Sequence, residues 1–373
     1  MRTVRLRVRL RDVEPLVERI VDVPAALTLP ELHQVLQAAM GWVNVHLHAF
    51  DGPGGRYAMP DDDMPDDELD ETGVPMRSLG DTYSYEYDYG DGWTHDVEVL
   101  GVGGEEPGCV DGRGSCPLED CGGPPGYERL REALADPDHP DHRETLSWTD
   151  GGVPEFDLVA TDQLVRQVIG AVPPSVRLLL EVLDGGVELT KGGRLPRKVV
   201  RAVQEHRPEW AFWDKPASLE EDLVPLAVLH DVLRQAKVLR IRQGVLAPIK
   251  AASDDLEVVR RLRSWFGPDG EFLDRLASTV VAVVLAEDTV ERGELERRVT
   301  EVIGDRWMIG GHPMTSADLR YEIGRLVPVL EGLDQIVVDG ERWSAGTAAA
   351  HLLPTAVAMA AAWGEGTTQP HYR

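Results

Sequence analysis

Cys109, Cys116 and Cys121 stand at spacings C-x6-C-x4-C in a glycine- and proline-rich run, and His139 and His142 follow as H-x2-H. Three thiolates and one imidazole satisfy tetrahedral zinc, and a bound metal would order a run without secondary-structure periodicity. The spacing matches no standard CxxC knuckle, so the plain alternative is three reduced cysteines packed as small apolar groups under a loop. A second set lies in YDYGDGWTH: Asp88, Asp91 and His95, with His46 and His48 upstream, offer the oxygen and nitrogen donors of a metal-dependent hydrolase or nuclease. Strand alternation puts Asp88 and His95 on opposite faces unless Gly90 or Gly92 introduces a bulge. The plainer reading has Asp91 capping the turn, Asp88 solvated, and His95 in the core with Trp93. A third set is cationic. Lys191, Arg194, Arg197, Lys198, Arg201 and Arg207 form one basic patch suited to a phosphate backbone or an acidic partner, while Arg320 and Arg325 are offset by Asp318 and Glu322.

These residues need elements to position them. In YSYEYDYGDGWTHDVEV, Tyr83, Tyr85, Tyr87 and Tyr89 alternate with polar residues, Gly90-Asp91-Gly92 breaks the run, and Trp93, His95, Val97 and Val99 resume it. This predicts a β-hairpin with one aromatic face and one acidic face. Val4, Leu6, Val8 and Leu10 alternate with arginines, which predicts a half-buried strand; the arginine stripe is read as charge compensation for the acidic hairpin. A second extended stretch covers Leu16 to Val23. Thr28 and Glu31 at capping-box spacing open an amphipathic helix that Gly41 closes. Residues 61–73, DDDMPDDELDETG, read as a solvated acidic loop without the spacing of a calcium loop. A short helix is expected after Pro125, with Tyr127, Leu130 and Leu134 on one face.

Taken in order, LTLPELHQVLQAAMGW, HLHAF, YEYDYGDGWTHDVEVL, CPLEDCGG, GYERLREAL, DPDHPDH and SW resemble the plasmid pRiA4b ORF-3-like family, which includes insertion-element passenger proteins named TnpR. The resemblance covers about residues 1–170. It implies a small α+β domain associated with mobile elements, and no particular reaction. The serine or tyrosine signature of a recombinase is missing, so recombination is not carried over.

Charge divides the chain: residues 1–174 hold 13 Lys+Arg against 35 Asp+Glu, residues 175–373 hold 25 against 30, and the total is −27. So acidic a first half repels phosphates, which leaves nucleic-acid contacts to the second. Pro173-Pro174 marks the expected boundary between an α+β N-terminal domain, residues 1–172, built as an antiparallel sheet with helices, and a mainly α domain, residues 175–373. From about 271 to 362 the order helix, helix, strand, turn, strand is that of a winged helix, with Asp339-Gly340 as the hairpin turn. No phosphate loop, nucleophile elbow or H-E-x-x-H occurs, so nucleotide-dependent, serine-hydrolase and zincin chemistry have no support. Three cysteines and no secretory signal or membrane run point to the cytoplasm. The expected function is a non-enzymatic binding or regulatory module acting on a protein or DNA partner. The alternatives are the hydrolase centred on Asp88, Asp91 and His95, and an interaction protein in which zinc only staples the loop.

Overall fold

The strict alternation at the N-terminus becomes β1 (Thr3–Leu10), with Leu6, Val8 and Leu10 buried. Its arginines lie beside carboxylates: Arg5–Asp22 at 2.8 Å, Arg9–Glu18 at 2.5 Å and Arg7–Glu98 at 2.9 Å. Arg7–Glu98 is a surface pair of the kind that contributes at most about 1 kcal/mol, whereas the Asp22 carboxylate is buried beneath Arg5. The computed structural model describes residues 2–60, 68–213, 215–267, 271–287, 289–304, 307–309 and 312–364, and most of the acidic run 61–73 lies outside them.

β2 (Glu18–Pro24) pairs antiparallel with β1. α1 (Leu29–Met40) starts where Glu31 accepts the Thr28 N–H at 2.8 Å and ends at Gly41, whose φ of 85° costs a glycine nothing. Then follow β3 (His48–Gly52), β4 (Gly55–Ala58), β5 (Glu68–Asp70), β6 (Thr82–Tyr87), β7 (Trp93–Val102) and β8 (Gly108–Arg113). Among the described residues they complete an eight-stranded sheet in the order β5-β4-β3-β6-β7-β1-β2-β8, antiparallel except for β4 and β5. α2 (Gly123–Ala135), α3 (His142–Trp148) and α4 (Leu158–Ile169) finish this unit. α2 begins ahead of the proline pair, and it buries Ala133 together with Tyr127 and Leu130.

The hairpin forms as its alternation requires. Tyr83 faces Val97, Tyr85 faces His95 and Tyr87 faces Trp93, and all six are buried. At roughly 2–3 kcal/mol per large side chain removed from water, this face anchors the sheet. Tyr89 leaves the ladder, because the chain turns at Asp88; it is 42% exposed and its hydroxyl donates to the His48 carbonyl at 3.0 Å. α1 crosses the same face, where the Tyr85 hydroxyl meets Gln37 Nε2 at 2.9 Å and His33 Nδ1 at 2.7 Å.

A second compact unit begins at Gly170. It runs α5 (Pro174–Val182), β9 (Val187–Glu188), α6 (Arg197–His206), α7 (Val224–Gln235), β10 (Leu239–Arg242) and β11 (Val245–Pro248). After α8 (Asp255–Phe266) come α9 (Phe272–Ala286), β12 (Val290–Glu291), α10 (Arg292–Ile303), a small hairpin of β13 (Met308–Ile309) and β14 (His312–Pro313), α11 (Ser316–Gly332), β15 (Ile336–Asp339), β16 (Arg342–Ala345) and α12 (Pro354–Gly364). Predominance of helix here matches the fold class read from the sequence.

The unit contains one supersecondary arrangement twice. Setting aside the small β13–β14 hairpin of the second, both copies read helix, strand, helix, helix, strand, strand, and both sheets put the last strand in the middle, as β10-β11-β9 and β12-β16-β15. The registers correspond: Val187 pairs with Leu246 and Val290 with Trp343, all four buried. Lys237 and Asp334, ahead of the two hairpins, are both left-handed at φ 57° and 53°. The copies are locked together where Asp334 accepts from Ser175 N at 2.7 Å and from Arg207 at 2.6 Å. Gly332 packs on the Pro225 carbonyl, which a Cβ would approach to 2.8 Å.

Candidate metal centre

The turn between β6 and β7 builds one wall of the site. Asp88 takes φ 57°, bonds its N–H to the Leu47 carbonyl at 2.9 Å, and accepts from Gly90 N at 2.9 Å and Asp91 N at 3.3 Å through Oδ1. This Asx turn spends one carboxylate oxygen on the backbone and leaves Oδ2 facing away from it. Oδ2 lies 3.5 Å from His46 Nε2.

The loop after β8 builds the other wall. Trp42 Nε1 donates to the Pro117 carbonyl at 3.0 Å, Val43 N and Tyr87 Oη donate to Glu119 Oε1 at 3.0 and 2.9 Å, and Gly122 N donates to Asp91 Oδ2 at 3.1 Å. Burial raises the Glu119 carboxyl, and the Val43 and Tyr87 donors counter it. Held at both ends, Asp120 turns left-handed at φ 58° and sets Oδ1 3.3 Å from His46 Nε2. One ligand atom from each of His46, Asp88 and Asp120 therefore lies within 4.8 Å of the others, the one such group among the described residues. His46 Nε2 is itself buried and makes no hydrogen bond. Its ring stands edge-on to Tyr87, with centroids 5.8 Å apart.

The residues singled out from the sequence divide between this site and other work. Asp88 belongs to it. Asp91 caps the 120–123 loop through Gly122, which positions Asp120. His95 is fully buried, packs against Tyr85 and Trp42, and sets Nδ1 3.1 Å from the Tyr85 carbonyl. Desolvation lowers its pKa to about 4, so it stays neutral. His48 is buried with Nε2 3.1 Å from both oxygens of Glu71. Asp120 is the residue sequence reasoning missed; nothing local in PLEDCGG marks it.

The cysteine set is not drawn into one ligand group. Cys109 is buried in β8 and donates weakly to the Asp111 carbonyl at 3.6 Å. Burial pushes its thiol up to about 11, Cys116 higher still, and Cys121 up to about 12 with the help of Asp91, Asp120 and Asp88. His139 Nδ1 accepts from Asp141 N at 3.1 Å, and His142 Nδ1 lies 2.8 Å from the Ala133 carbonyl. All three cysteines are free thiols, and neither they nor the two histidines join the His46 group. Asp120 also borders a cleft of 720 Å³ that Cys121, Arg129, His139 and Trp148 help to line.

The cationic set is partly committed to internal contacts. Arg194 pairs with Glu221 at 2.8 Å, Arg201 Nε reaches the Ala217 carbonyl at 3.4 Å, and Arg207 holds Asp334. Lys191, Arg197 and Lys198 are exposed without an ion-pair partner among the described residues. Arg320 is exposed on α11, and Arg325 there pairs with Glu322 at 3.3 Å.

The family model described as Plasmid pRiA4b ORF-3-like protein matches residues 2–164. The uncharacterized protein y4hQ of Sinorhizobium fredii is 44% identical over 168 residues, which make up 43% of this chain and 86% of that protein. The crystal structure of MM3350, a protein of unknown function from Methanosarcina mazei Go1, covers 42% of this chain and 96% of its own at 28% identity, with a TM-score of 0.38. None of the described helices is long and apolar enough to cross a membrane.

Proposed function

Because the chain belongs to the plasmid pRiA4b ORF-3-like family, we propose that its first unit is a divalent-cation-binding module and that the whole acts without catalysis, as a binding or regulatory protein in mobile-element biology. One observation carries the cation: the buried, unbonded His46 Nε2 faces two carboxylate oxygens at 3.3 and 3.5 Å. Ligands held about 2.1 Å from a tetrahedral ion sit about 3.4 Å apart, so the spacing fits a zinc-sized ion. The partner contact falls to the second unit, whose two repeats we read as winged-helix-like.

Titration of chelator-treated full-length protein with Zn²⁺ and Mn²⁺ by calorimetry tests this. One ion per chain is expected, lost in Asp88→Asn and in the exposed Asp120→Asn, with circular dichroism unchanged for the latter. Equal affinity in wild type and both variants would remove the site.

A second reading has one observation in its favour: Asp120 is shared by the cation group and the 720 Å³ cleft. Three protein ligands leave coordination positions open, and a cation there would activate water against a substrate in that cleft. Cation-dependent hydrolysis of an activated phosphodiester, abolished in Asp120→Asn, separates this from pure binding.

A further inference from the structure

The two repeats of the second unit share a fold but not a charge. Residues 174–250 hold 13 Lys+Arg against 10 Asp+Glu, whereas residues 272–345 hold 8 against 14. The first repeat is thus a net-positive stretch in a chain of charge −27.

The reversal sits at matched positions. Where the first repeat has Arg242 at the end of β10, the second has Asp339 at the end of β15, and Lys237 is matched by Asp334. In the second repeat most of the cations are answered by neighbours: Arg297 pairs with Glu294 and Glu301, Arg298 with Glu287, Arg325 with Glu322 and Arg342 with Glu291, while Arg320 has no ion-pair partner among the described residues. In the first, Lys191, Arg197, Lys198, Lys237, Arg240 and Arg242 are all exposed and none has an ion-pair partner among the described residues.

Backbone hydrogen bonds gather several of these cations. Leu189 N donates to Gly244 O at 3.0 Å, so the segment leaving β9 passes the tip of the β10–β11 hairpin. Thr190 N donates to Arg194 O at 2.9 Å, which folds Lys191 into a turn beside that tip, and α6 opens at once with Arg197 and Lys198. Arg240 and Arg242, two apart on the edge strand β10, project from one face of it. The third helix of this repeat is not equally available, because Pro225 near its start is packed under Gly332 of α11.

We infer that the tip of the β10–β11 hairpin and the β9–α6 segment form a docking surface for the phosphate backbone of duplex DNA. A two-stranded ribbon fits the major groove of B-form DNA, whereas the deep, narrow major groove of A-form RNA excludes it. The inference rests on the binding-module reading and gives its partner a chemistry.

Fluorescence anisotropy of the full chain on a labelled mixed-sequence duplex tests it, between about 50 and about 200 mM salt. Wild type is expected to bind at the low end and to weaken steeply with salt. Arg240→Gln with Arg242→Gln should cost about tenfold or more in affinity and flatten the log–log salt slope by about 2, one unit for each lost phosphate contact. Arg320→Gln with Arg325→Gln, on the second repeat, should change little. The inference fails if the second pair weakens binding and the first does not, or if duplex RNA binds more tightly. It also fails if wild type leaves the duplex free at low salt; the cation titration then still judges the module reading.

Discussion

His33 and His48 stack face to face in the core of the first unit, with ring centroids 3.5 Å apart and planes within 8°. His33 Nδ1 faces the Tyr85 hydroxyl and Nε2 faces Asn44 Oδ1, each at 2.7 Å. Both nitrogens are satisfied if a neutral ring accepts from the phenol and donates to the amide.

A pH dependence follows. Burial, then the neighbouring His48, holds His33 well below 6.5, and burial lowers His95 to about 4. For a base whose folded pKa is depressed, the unfolded chain binds more protons, so stability is present above 6.5 and falls as pH drops below it. Urea unfolding should show first-unit stability declining between pH 7 and pH 5 by up to about 2.7 kcal/mol per unit when both rings contribute. His33→Gln should flatten this limb; an unchanged slope would reject the argument.

Glu331 works with the opposite sign. Burial pushes its carboxyl up to about 7 from 4.5, so the folded state holds an extra proton and stability is lost as pH rises through that window. Glu331→Gln should therefore stabilise the second unit by about 1–2 kcal/mol at pH 8, discounted for partial exposure, and by nothing at pH 4. A gain of equal size at both pH values would point to packing instead.

Arg19 is a buried cation, 2% exposed, whose hydrogen bonds run to main-chain carbonyls. Its guanidinium donates to Ala39, Glu18, Arg113 and Gly114 at 2.8–3.1 Å and lies 4.0 Å from the centre of the Phe156 ring. Arg19→Met strips donors from four carbonyls and should cost about 3 kcal/mol, with Arg19→Lys between it and wild type. A urea midpoint within error of wild type for the methionine variant would show that the fork is dispensable.

Gly123 marks where the Asp120 loop meets the hairpin turn. Its φ is +66°, and a Cβ there would lie 2.4 Å from the Asp91 carbonyl oxygen. Gly123→Ala should lower stability by about 2 kcal/mol and weaken cation affinity about tenfold or more by moving Asp120 off His46. Calorimetric titration and a thermal melt on the same sample check both; intact affinity in a destabilised variant would separate the loop from the site.

Local pattern was enough for the frame. Alternation at Val4 to Leu10 and at Tyr83 to Val99, and the Thr28, Glu31 and Gly41 caps of α1, each became the element their spacing required, because sterics and burial act at periods of two and 3.6 residues. The hairpin after Gln335 was legible for the same reason. Its counterpart after Lys237, Leu239–Arg242 paired with Val245–Pro248, falls in a stretch expected from the sequence to be mainly helical.

The site belongs to another order of information. Asp88 meets Asp120 only because each takes a left-handed turn and because Gly123 lets one loop close on the other. The cysteines, which spacing made conspicuous, are free thiols that form no ligand group among the described residues. The sequence alone determined which strands and helices form and that the first half is acidic. Tertiary structure decided which carboxylates face His46 and which cations, Arg240 and Arg242 among them, have no ion-pair partner among the described residues, because those depend on contacts between residues far apart in the chain.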